Sequence, residues 1–277
     1  MTLPNFLIIG AQKAGSSWLA EMLGQHPGIY VYPNEIHFFD KGFNWRKGRG
    51  WYENHFAETN GEKLIGEKTP DYLWANGQGT EDHLPTVHEN LHQVVPDAKL
   101  IVILRNPVDR AISAANHIIR SGRVSPLHSL DELLVGTKKE LLKPHGVIEY
   151  GYYWQQLKAY YELFEANQIL ILVYEEDLIN QPEIGLKKVC SFLDVDTSFH
   201  FHEISKTVNE GQGTMFGLLF SYYFPPLRKC FRCLDKFFKP FKGKVEKETK
   251  EKLRSLYLKE NDKLFEALGR KIESWNT

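Results

Sequence analysis

Three short apolar runs along the chain have the pattern of strands that are buried on both faces of a sheet. They read FLII at residues 6–9, LIVIL at 100–104 and ILILVY at 169–174. Continuous runs of this kind, rich in Ile, Leu and Val, are typical of parallel strands that helices cover on both sides. Weaker strands are predicted at Ile29–Tyr32 and Leu64–Glu67.

Between these runs, apolar residues recur at the spacing of a helix. The predicted helices are Ser17–Gln25, Trp51–Phe56, Leu84–Val95, Val108–Arg120, Ser129–Leu142, Tyr150–Glu165, Pro182–Leu193 and Glu246–Leu268. Strands that alternate with helices indicate an α/β fold with a mostly parallel central sheet and helices on both faces.

The length of 277 residues, with 42% hydrophobic and 13% aromatic residues, is enough for one well-packed core. We therefore expect a single domain over residues 1–277. The least regular part is the segment 197–244, which is rich in aromatic residues and interrupted by Gly and Pro.

The overall charge excludes a general nucleic-acid binder, because 34 Lys and Arg face 35 Asp and Glu. Residues 228–247 are locally basic. Such a stretch is expected to be a solvated face or a site for an anionic substrate; with the rest of 215–244, it is alternatively a peripheral membrane contact. No apolar run approaches the length of a transmembrane helix, and no signal peptide precedes the first strand, so a cytoplasmic protein is expected. Cys230 and Cys233 form a lone C-x-x-C pair, which does not predict a zinc site.

The first strand runs into a glycine loop that resembles a phosphate-binding loop. Gly10 and Gly15 have the spacing of G-x-x-x-x-G-K-[ST], and the hydroxyl residues Ser16 and Ser17 follow. The lysine of that motif is replaced by Ser16, and the amine of this loop is Lys13 instead. Converging backbone N–H groups and a helix N-terminus still favour an anion here.

The second strong strand ends in an arginine where nucleotide kinases often have a metal-binding carboxylate. Arg105 follows LIVIL directly, and Ser113 lies further along the next predicted helix. A guanidinium binds phosphate oxygens and repels a metal ion. The two regions therefore predict two separate anion sites, which suit a nucleotide with phosphates at two positions and require no metal.

These residues resemble the sulfotransferases that use 3′-phosphoadenosine 5′-phosphosulfate (PAPS), most closely the heparan sulfate and glycan type and its bacterial relatives. The resemblance identifies the 5′-phosphosulfate loop as Lys13, Ala14, Gly15, Ser16, Ser17 and Trp18. Residues 105–113, RNPVDRAIS, resemble the 3′-phosphate signature with Arg105 and Ser113 as ligands. The product nucleotide would then be PAP, in a P-loop-like fold.

Three further segments carry the resemblance. NEIHFFD at 34–40 is similar to a segment in which the family's glutamate is the general base, which implies that role for Glu35. EKTPDY at 67–72 resembles a segment whose lysine lies near the transferred group, which implies Lys68. Lys242, Gly243 and Lys244 resemble a loop that closes on the cofactor. Asn34 and Ile36 replace the family's Lys and Pro, and His37 is expected to be a structural hydrogen-bonding residue.

The resemblance implies in-line transfer of a sulfuryl group to a hydroxyl or amine of a glycan, a glycolipid or a small metabolite. Glu35 would accept the proton of the acceptor, and Lys13 and Lys68 would stabilise the negative charge on the leaving and transferred oxygens. Two alternatives remain, a P-loop nucleotide kinase and a non-catalytic nucleotide-binding module.

Overall fold

The computed structural model describes residues 2–57, 59, 61, 63–75, 83–205, 214–224 and 243–275, without the side chain of Ser221. Lys242, the cysteine pair Cys230 and Cys233, and most of the basic stretch 228–247 lie outside the described residues. In the described part, no helix has both the length and the apolar character that crossing a membrane requires.

The predicted parallel sheet is confirmed. Its five strands are Phe6–Gly10 (β1), Ile29–Val31 (β2), Leu64–Lys68 (β3), Lys99–Leu104 (β4) and Ile169–Val173 (β5). The strand order is β2-β3-β1-β4-β5, and every neighbouring pair is parallel. β1 is central and buried along its whole length, as its uninterrupted apolar sequence predicts.

Most predicted helices are present with shifted ends. The helices are Ser16–Leu23 (α1), Gly42–Trp45 (α2), Arg49–Glu53 (α3), Val87–Val94 (α4), Pro107–Arg120 (α5), Leu130–Leu134 (α6), Tyr153–Tyr161 (α7), Pro182–Leu193 (α8), Met215–Tyr223 (α9) and Lys247–Leu268 (α10). A π-helical segment, Tyr174–Asn180, follows β5. Gly269, at a φ of 65°, ends α10 as expected.

The prediction of a long helix over Ser129–Leu142 is wrong. A capping box between Ser129 and Glu132 starts α6, but the helix ends at Leu134. The N–H of Gly136 binds the carbonyl of Asp131, and a Cβ atom at Gly136 would lie 2.7 Å from Glu132 Cα. Glycine therefore closes this helix early, although the apolar spacing continues beyond it. In the segment 197–244, α9 is a helix that the sequence pattern did not reveal.

The chain divides into two compact units. The first comprises Met1–Asn106, Tyr152–Val208 and Glu260–Thr277, and it contains the whole sheet. The second comprises Pro107–Gly151 and Asn209–Lys259, and it contains α5, α6 and α9. Lys13, Glu35, Lys68 and Arg105 thus belong to the first unit, whereas Ser113, Gly243 and Lys244 belong to the second.

The register of the sheet depends on a close contact between β1 and β3. Phe6 pairs with Gly66, and the Phe6 ring covers the Cα atom of that glycine. A Cβ atom at Gly66 would overlap the ring, and Phe6 is fully buried, so the ring has no space into which it can move. Glycine at this position lets a large aromatic ring fill the layer above β3.

We expect Gly66→Ala to destabilise the protein by about 1–3 kcal/mol, because the added methyl group overpacks the Phe6 contact. Urea denaturation of the variant and the parent measures this. Gly50→Ala is the matched control, because Gly50 lies in α3 with no atom within 4 Å of an added Cβ. This control should be neutral or slightly stabilising, and a neutral Gly66→Ala would contradict the packing argument.

Candidate active site

The glycine loop between β1 and α1 contains two residues in the left-handed backbone region, and one of them is Gly15. Lys13 has a φ of 69° and Gly15 a φ of 91°, both in the left-handed region. A Cβ atom at Gly15 would lie 2.8 Å from Leu178 Cδ2. Gly15 therefore cannot be replaced without moving the loop, which leads directly into the N-terminus of α1 at Ser16.

The parallel arrangement of the strands gathers the predicted site residues at one edge of the sheet. The loop follows the carboxyl end of β1, Lys68 is the last residue of β3, and Arg105 follows the last residue of β4. The carboxyl edge of an open parallel sheet is where α/β proteins bind ligands.

Arg105 contacts the glycine loop directly. Its Nη1 donates to the carbonyl of Lys13 over 2.8 Å, and its guanidinium lies 4.8 Å from the centre of the Tyr174 ring. Its Nε is buried and has no hydrogen-bond partner among the described residues. An orphaned guanidinium N–H is costly to bury, and it is a donor that an anion could use.

Glu35 and Lys68 form an ion pair beside the loop. Lys68 Nζ lies 2.7 Å from Glu35 Oε1 and 3.4 Å from Ser17 Oγ. The segment that carries Glu35 is fixed from β3 and the turn after it: the N–H of Ile36 donates to Thr69 Oγ1 and the N–H of Phe38 to the hydroxyl of Tyr72. The structure therefore brings three of the predicted site residues, Glu35, Lys68 and Ser17, within hydrogen-bond distance.

His37 connects Glu35 to a buried aspartate. His37 Nε2 is 3.5 Å from Glu35 Oε2, and Nδ1 is 3.0 Å from Oδ2 of Asp40, which is fully buried. His37 has a φ of 53°, and the Asn44 amide donates to the carbonyls of Ile36 and His37. The sequence places Asp40 three residues after His37, but no pattern predicts that its carboxylate orients the imidazole.

Hydrogen bonds and neighbouring charges shift the pKa values of Glu35 and His37 in opposite directions. Burial opposes ionisation of Glu35, but the hydrogen bond from His37 and the charge of Lys68 prevail and lower its pKa to about 2. Burial likewise opposes protonation of His37, but hydrogen bonds to Asp40 and Glu35 prevail and raise its pKa to about 10. At neutral pH the site thus contains the carboxylate of Glu35 beside an imidazolium.

Phe38, in the segment that carries Glu35, packs on buried aromatic residues next to a buried acid. Phe38 stacks on Tyr52 with ring centres 4.6 Å apart, and the Tyr52 hydroxyl donates to Glu67 Oε1 over 2.8 Å. Glu67 is fully buried, and burial outweighs its tyrosine hydrogen bonds and raises its pKa to about 8. Glu67 is therefore mostly protonated at neutral pH.

One group of side chains has the composition of a metal site. Ligand atoms of His37, Asp40 and Asp71 lie within 4.8 Å of one another. Gln12 Nε2 donates to Asp71 Oδ1, and the raised pKa of His37 keeps a proton on the imidazole. The proton and the positive charge of His37 compete with a cation at this place.

The remaining predicted residues have other surroundings. Trp18 donates its indole N–H to the carbonyl of Ile204, Ser16 and Ala14 are buried, and Ser113 is half-buried on α5. In the second unit, the N–H of Gly243 donates to Oδ1 of Asn116, which lies three residues after Ser113 on α5. The loop with Gly243 and Lys244 thus meets the helix that carries Ser113.

The glycine loop at the carboxyl edge of a parallel sheet, with cationic side chains beside it, defines a phosphate-loop protein of the group-transfer type. The chain belongs to the sulfotransferase family, because residues 3–210 match the model of the sulfotransferase domain. PAPS is the sulfuryl donor of this family.

Similar proteins include enzymes that modify heparan sulfate. Heparan sulfate glucosamine 3-O-sulfotransferase 3B1 of Mus musculus is 28% identical over 261 residues, which are 89% of this chain and 63% of that protein. Heparan sulfate glucosamine 3-O-sulfotransferase 5 of Homo sapiens is 26% identical over 277 residues, 98% of this chain and 73% of that protein. The chain thus spans less than two thirds of the length of the first of these relatives.

Solved structures include a sulfotransferase from Alicyclobacillus acidocaldarius, which superposes with a TM-score of 0.73 at 25% identity and covers 100% of both chains. The sulfotransferase domain from the curacin biosynthetic pathway has a TM-score of 0.51 at 16% identity, covers 93% of this chain and 99% of that domain, and shares the fold.

The raised pKa of His37 predicts a pH-dependent contribution to stability. A folded-state pKa of about 10, above the ordinary 6.5, means that the contribution is complete below pH 6.5 and is lost as the pH rises through 10. We expect His37→Gln to be most destabilising near pH 6 and least near pH 10, as urea denaturation at several pH values measures. His200→Gln, which changes an exposed histidine, should show no such trend. A pH-independent effect of His37→Gln would contradict the predicted ion pairing.

Proposed function

We propose that the protein transfers a sulfuryl group from PAPS to a hydroxyl or amine of a glycan or glycolipid acceptor, with Glu35 as general base. The observation that carries the proposal is the position of Lys68 Nζ, 2.7 Å from Glu35 Oε1 and 3.4 Å from Ser17 Oγ. A base, a cation and the phosphate loop therefore occupy one site. A base, a cation and a phosphate-binding loop held together favour group transfer by positioning the reactants and stabilising charge.

The residues fit a nucleotide with two separate phosphate groups. The loop from Lys13 to Ser17 and the N-terminus of α1 suit the 5′ end, and the unpartnered Nε of Arg105 offers a donor to the 3′-phosphate. Ser113, Lys242, Gly243 and Lys244 stay predicted nucleotide ligands, on the family resemblance alone. PAPS supplies an activated sulfuryl group whose departure leaves negative charge on the 5′-phosphate.

Lys13 and the loop N–H groups stabilise that negative charge where it develops. Such preorganised donors cost no rearrangement during the reaction, which is why they are effective in a site from which water is excluded. Ser16 and Ser17 retain the hydroxyl groups that the family's loop uses. Trp18, with its indole N–H bound to Ile204, anchors the start of α1 beneath the loop.

The strength of Glu35 as a base depends on Lys68. A carboxylate with a pKa of about 2 is a weak base. When Lys68 turns toward the oxygens of the donor, Glu35 loses the part of its pKa lowering that Lys68 provides, while the hydrogen bond from His37 remains. Glu35 thus becomes a stronger base once the donor is bound.

His37 and Asp40 hold the Glu35 carboxylate in place during this change. Asp40 fixes the imidazole through Nδ1, and the other ring nitrogen faces Glu35. His37 is therefore a positioning residue, and Glu35 accepts the proton of the acceptor.

The relatives support a sugar acceptor. Two of them are named for 3-O-sulfation of glucosamine in heparan sulfate. Of the two departures from the family pattern beside Glu35, Asn34 is exposed and Ile36 is buried. Labelling of cell extracts with PAPS as donor identifies the acceptor and its sulfated atom. The same labelled products decide between glycan, glycolipid and small-metabolite acceptors.

Glu35→Gln should leave PAP affinity nearly unchanged and lower transfer by about 10²–10⁴-fold, because the amide cannot accept a proton. Calorimetric titration with PAP and turnover with labelled PAPS measure the two effects. Glu21→Gln, which changes an exposed carboxylate on α1, is the control. Undiminished transfer in Glu35→Gln would remove this residue from the mechanism. Binding of PAP with no transfer to any acceptor by the parent protein would favour a non-catalytic nucleotide-binding module.

PAP should raise the thermal unfolding midpoint of the protein, and ATP with Mg²⁺ should not, because only PAP carries a 3′-phosphate for Arg105. Differential scanning fluorimetry at equal nucleotide concentrations compares the two ligands. Stabilisation by ATP with Mg²⁺ alone would support the kinase alternative, which the family assignment does not favour.

A further inference from the structure

The hydroxyl of one tyrosine binds both the carbonyl and the N–H of Arg105. The Tyr153 hydroxyl donates to the carbonyl of Arg105 over 2.8 Å and accepts from its N–H over 3.4 Å. The guanidinium is held by the carbonyl of Lys13 and the ring of Tyr174. Arg105 therefore has a fixed position before any ligand binds, although it lies in a turn.

The next peptide of this turn is bound by a carboxylate from the segment after β5. The N–H of Asn106 donates to Glu175 Oε1 over 2.9 Å. The other oxygen of the same carboxylate, Oε2, accepts the indole N–H of Trp275 over 3.1 Å. Glu175 thus connects the Arg105 turn to the end of the described chain, 100 residues further along the sequence.

Trp275 is well placed to hold this carboxylate. Its side chain is buried, and its ring centre lies 5.8 Å from that of Tyr153 and 5.9 Å from that of Phe265. The neighbouring carboxylate, Glu176, has different partners: Arg270 at 2.9 Å and the Ser274 hydroxyl at 3.5 Å. Both acidic residues anchor the C-terminal segment, but Glu175 is the one bonded to the Arg105 turn.

We infer that Glu175 and Trp275 form a C-terminal latch that positions Arg105 for the 3′-phosphate of the nucleotide. This inference rests on the proposed function. The latch acts in two ways. It fixes the Asn106 peptide and hence the direction of the Arg105 side chain, and it keeps the Glu175 carboxylate bound to two N–H donors.

The second effect matters because Arg105 has an orphaned donor. A Glu175 carboxylate released from Trp275 is an anion one residue away from Tyr174, whose ring contacts the guanidinium. Such a carboxylate competes with a phosphate for Arg105 Nε. The indole N–H thus protects the site from a neighbouring anion of the same chain. Trp275 is a positioning residue, because it acts through Glu175.

Trp275→Phe tests the latch, because phenylalanine keeps the packing against Tyr153 and Phe265 and removes the N–H donor. We expect PAP to bind about tenfold more weakly, the usual effect of losing one hydrogen bond to a charged group. Binding of adenosine 5′-phosphate, which lacks the 3′-phosphate, should be unchanged. Isothermal titration or competition with labelled PAP measures both affinities.

Arg270→Gln is the matched control, since it removes a contact of the same C-terminal segment to Glu176 and leaves Glu175 untouched. It should bind both nucleotides like the parent. Equal weakening of PAP and adenosine 5′-phosphate by Trp275→Phe would overturn the latch, because a general loss of structure affects both ligands alike.

Glu175→Gln provides the second variant if Trp275→Phe folds poorly. Its amide can accept a hydrogen bond at one oxygen only, so this variant should also lower the affinity for PAP selectively. The double variant should bind PAP no more weakly than the weaker of the two single variants. Additive effects would overturn the latch. No PAP binding by the parent protein would overturn the proposed function and the latch together, whereas PAP binding that neither variant changes would overturn the latch alone.

Discussion

Parallel pairing of β1 between β3 and β4 is the constraint on which the site depends. Because all strands run in one direction, their carboxyl ends meet, and the loop after β1, Lys68 and Arg105 come together without a special connection. The register of these strands is set by an apolar core in which Phe6 packs over Gly66. A shift of one residue would turn Lys68 to the other face of the sheet.

At this edge of the sheet, neighbouring charges determine the pKa of Glu35. The Glu35 carboxylate lies between a lysine and an imidazolium, and its acidity is set by them rather than by its own burial. Two cations lower the pKa of Glu35, and one of them, Lys68, also lies 3.4 Å from Ser17 Oγ at the glycine loop. Lys68 is therefore the side chain that connects the Glu35 carboxylate to the glycine loop.

The sequence predicts the features that depend on local pattern. The buried strands, the glycine loop and the helices Pro107–Arg120 and Pro182–Leu193 follow from apolar spacing and from Gly and Pro, because these act over a few residues. Family resemblance selected Glu35 and Lys68, and the structure places them in contact.

Contacts between distant segments could not be predicted. Arg105, predicted for one anion site, donates to the carbonyl of Lys13 in the loop predicted for the other, 92 residues away in sequence. Likewise, neither the Asn106 to Glu175 bond nor the Trp275 bond to the same carboxylate has a sequence signal, since no periodicity joins them. At α6 a sequence signal was present but misleading. The apolar spacing continues beyond Leu134, although Gly136 closes the helix there.

The buried acid Glu67 makes the interior beside Asp40 sensitive to alkaline solution. Glu67 and Lys68 are successive residues of β3, so their side chains project to opposite faces of the sheet, and the nearby charges that act on Glu67 are those of Asp40 and His37. Burial among the tyrosines raises the pKa of Glu67 to about 8 and so keeps the acid neutral at pH 7. In alkaline solution Glu67 ionises, and its new negative charge adds to that of Asp40 in the buried interior.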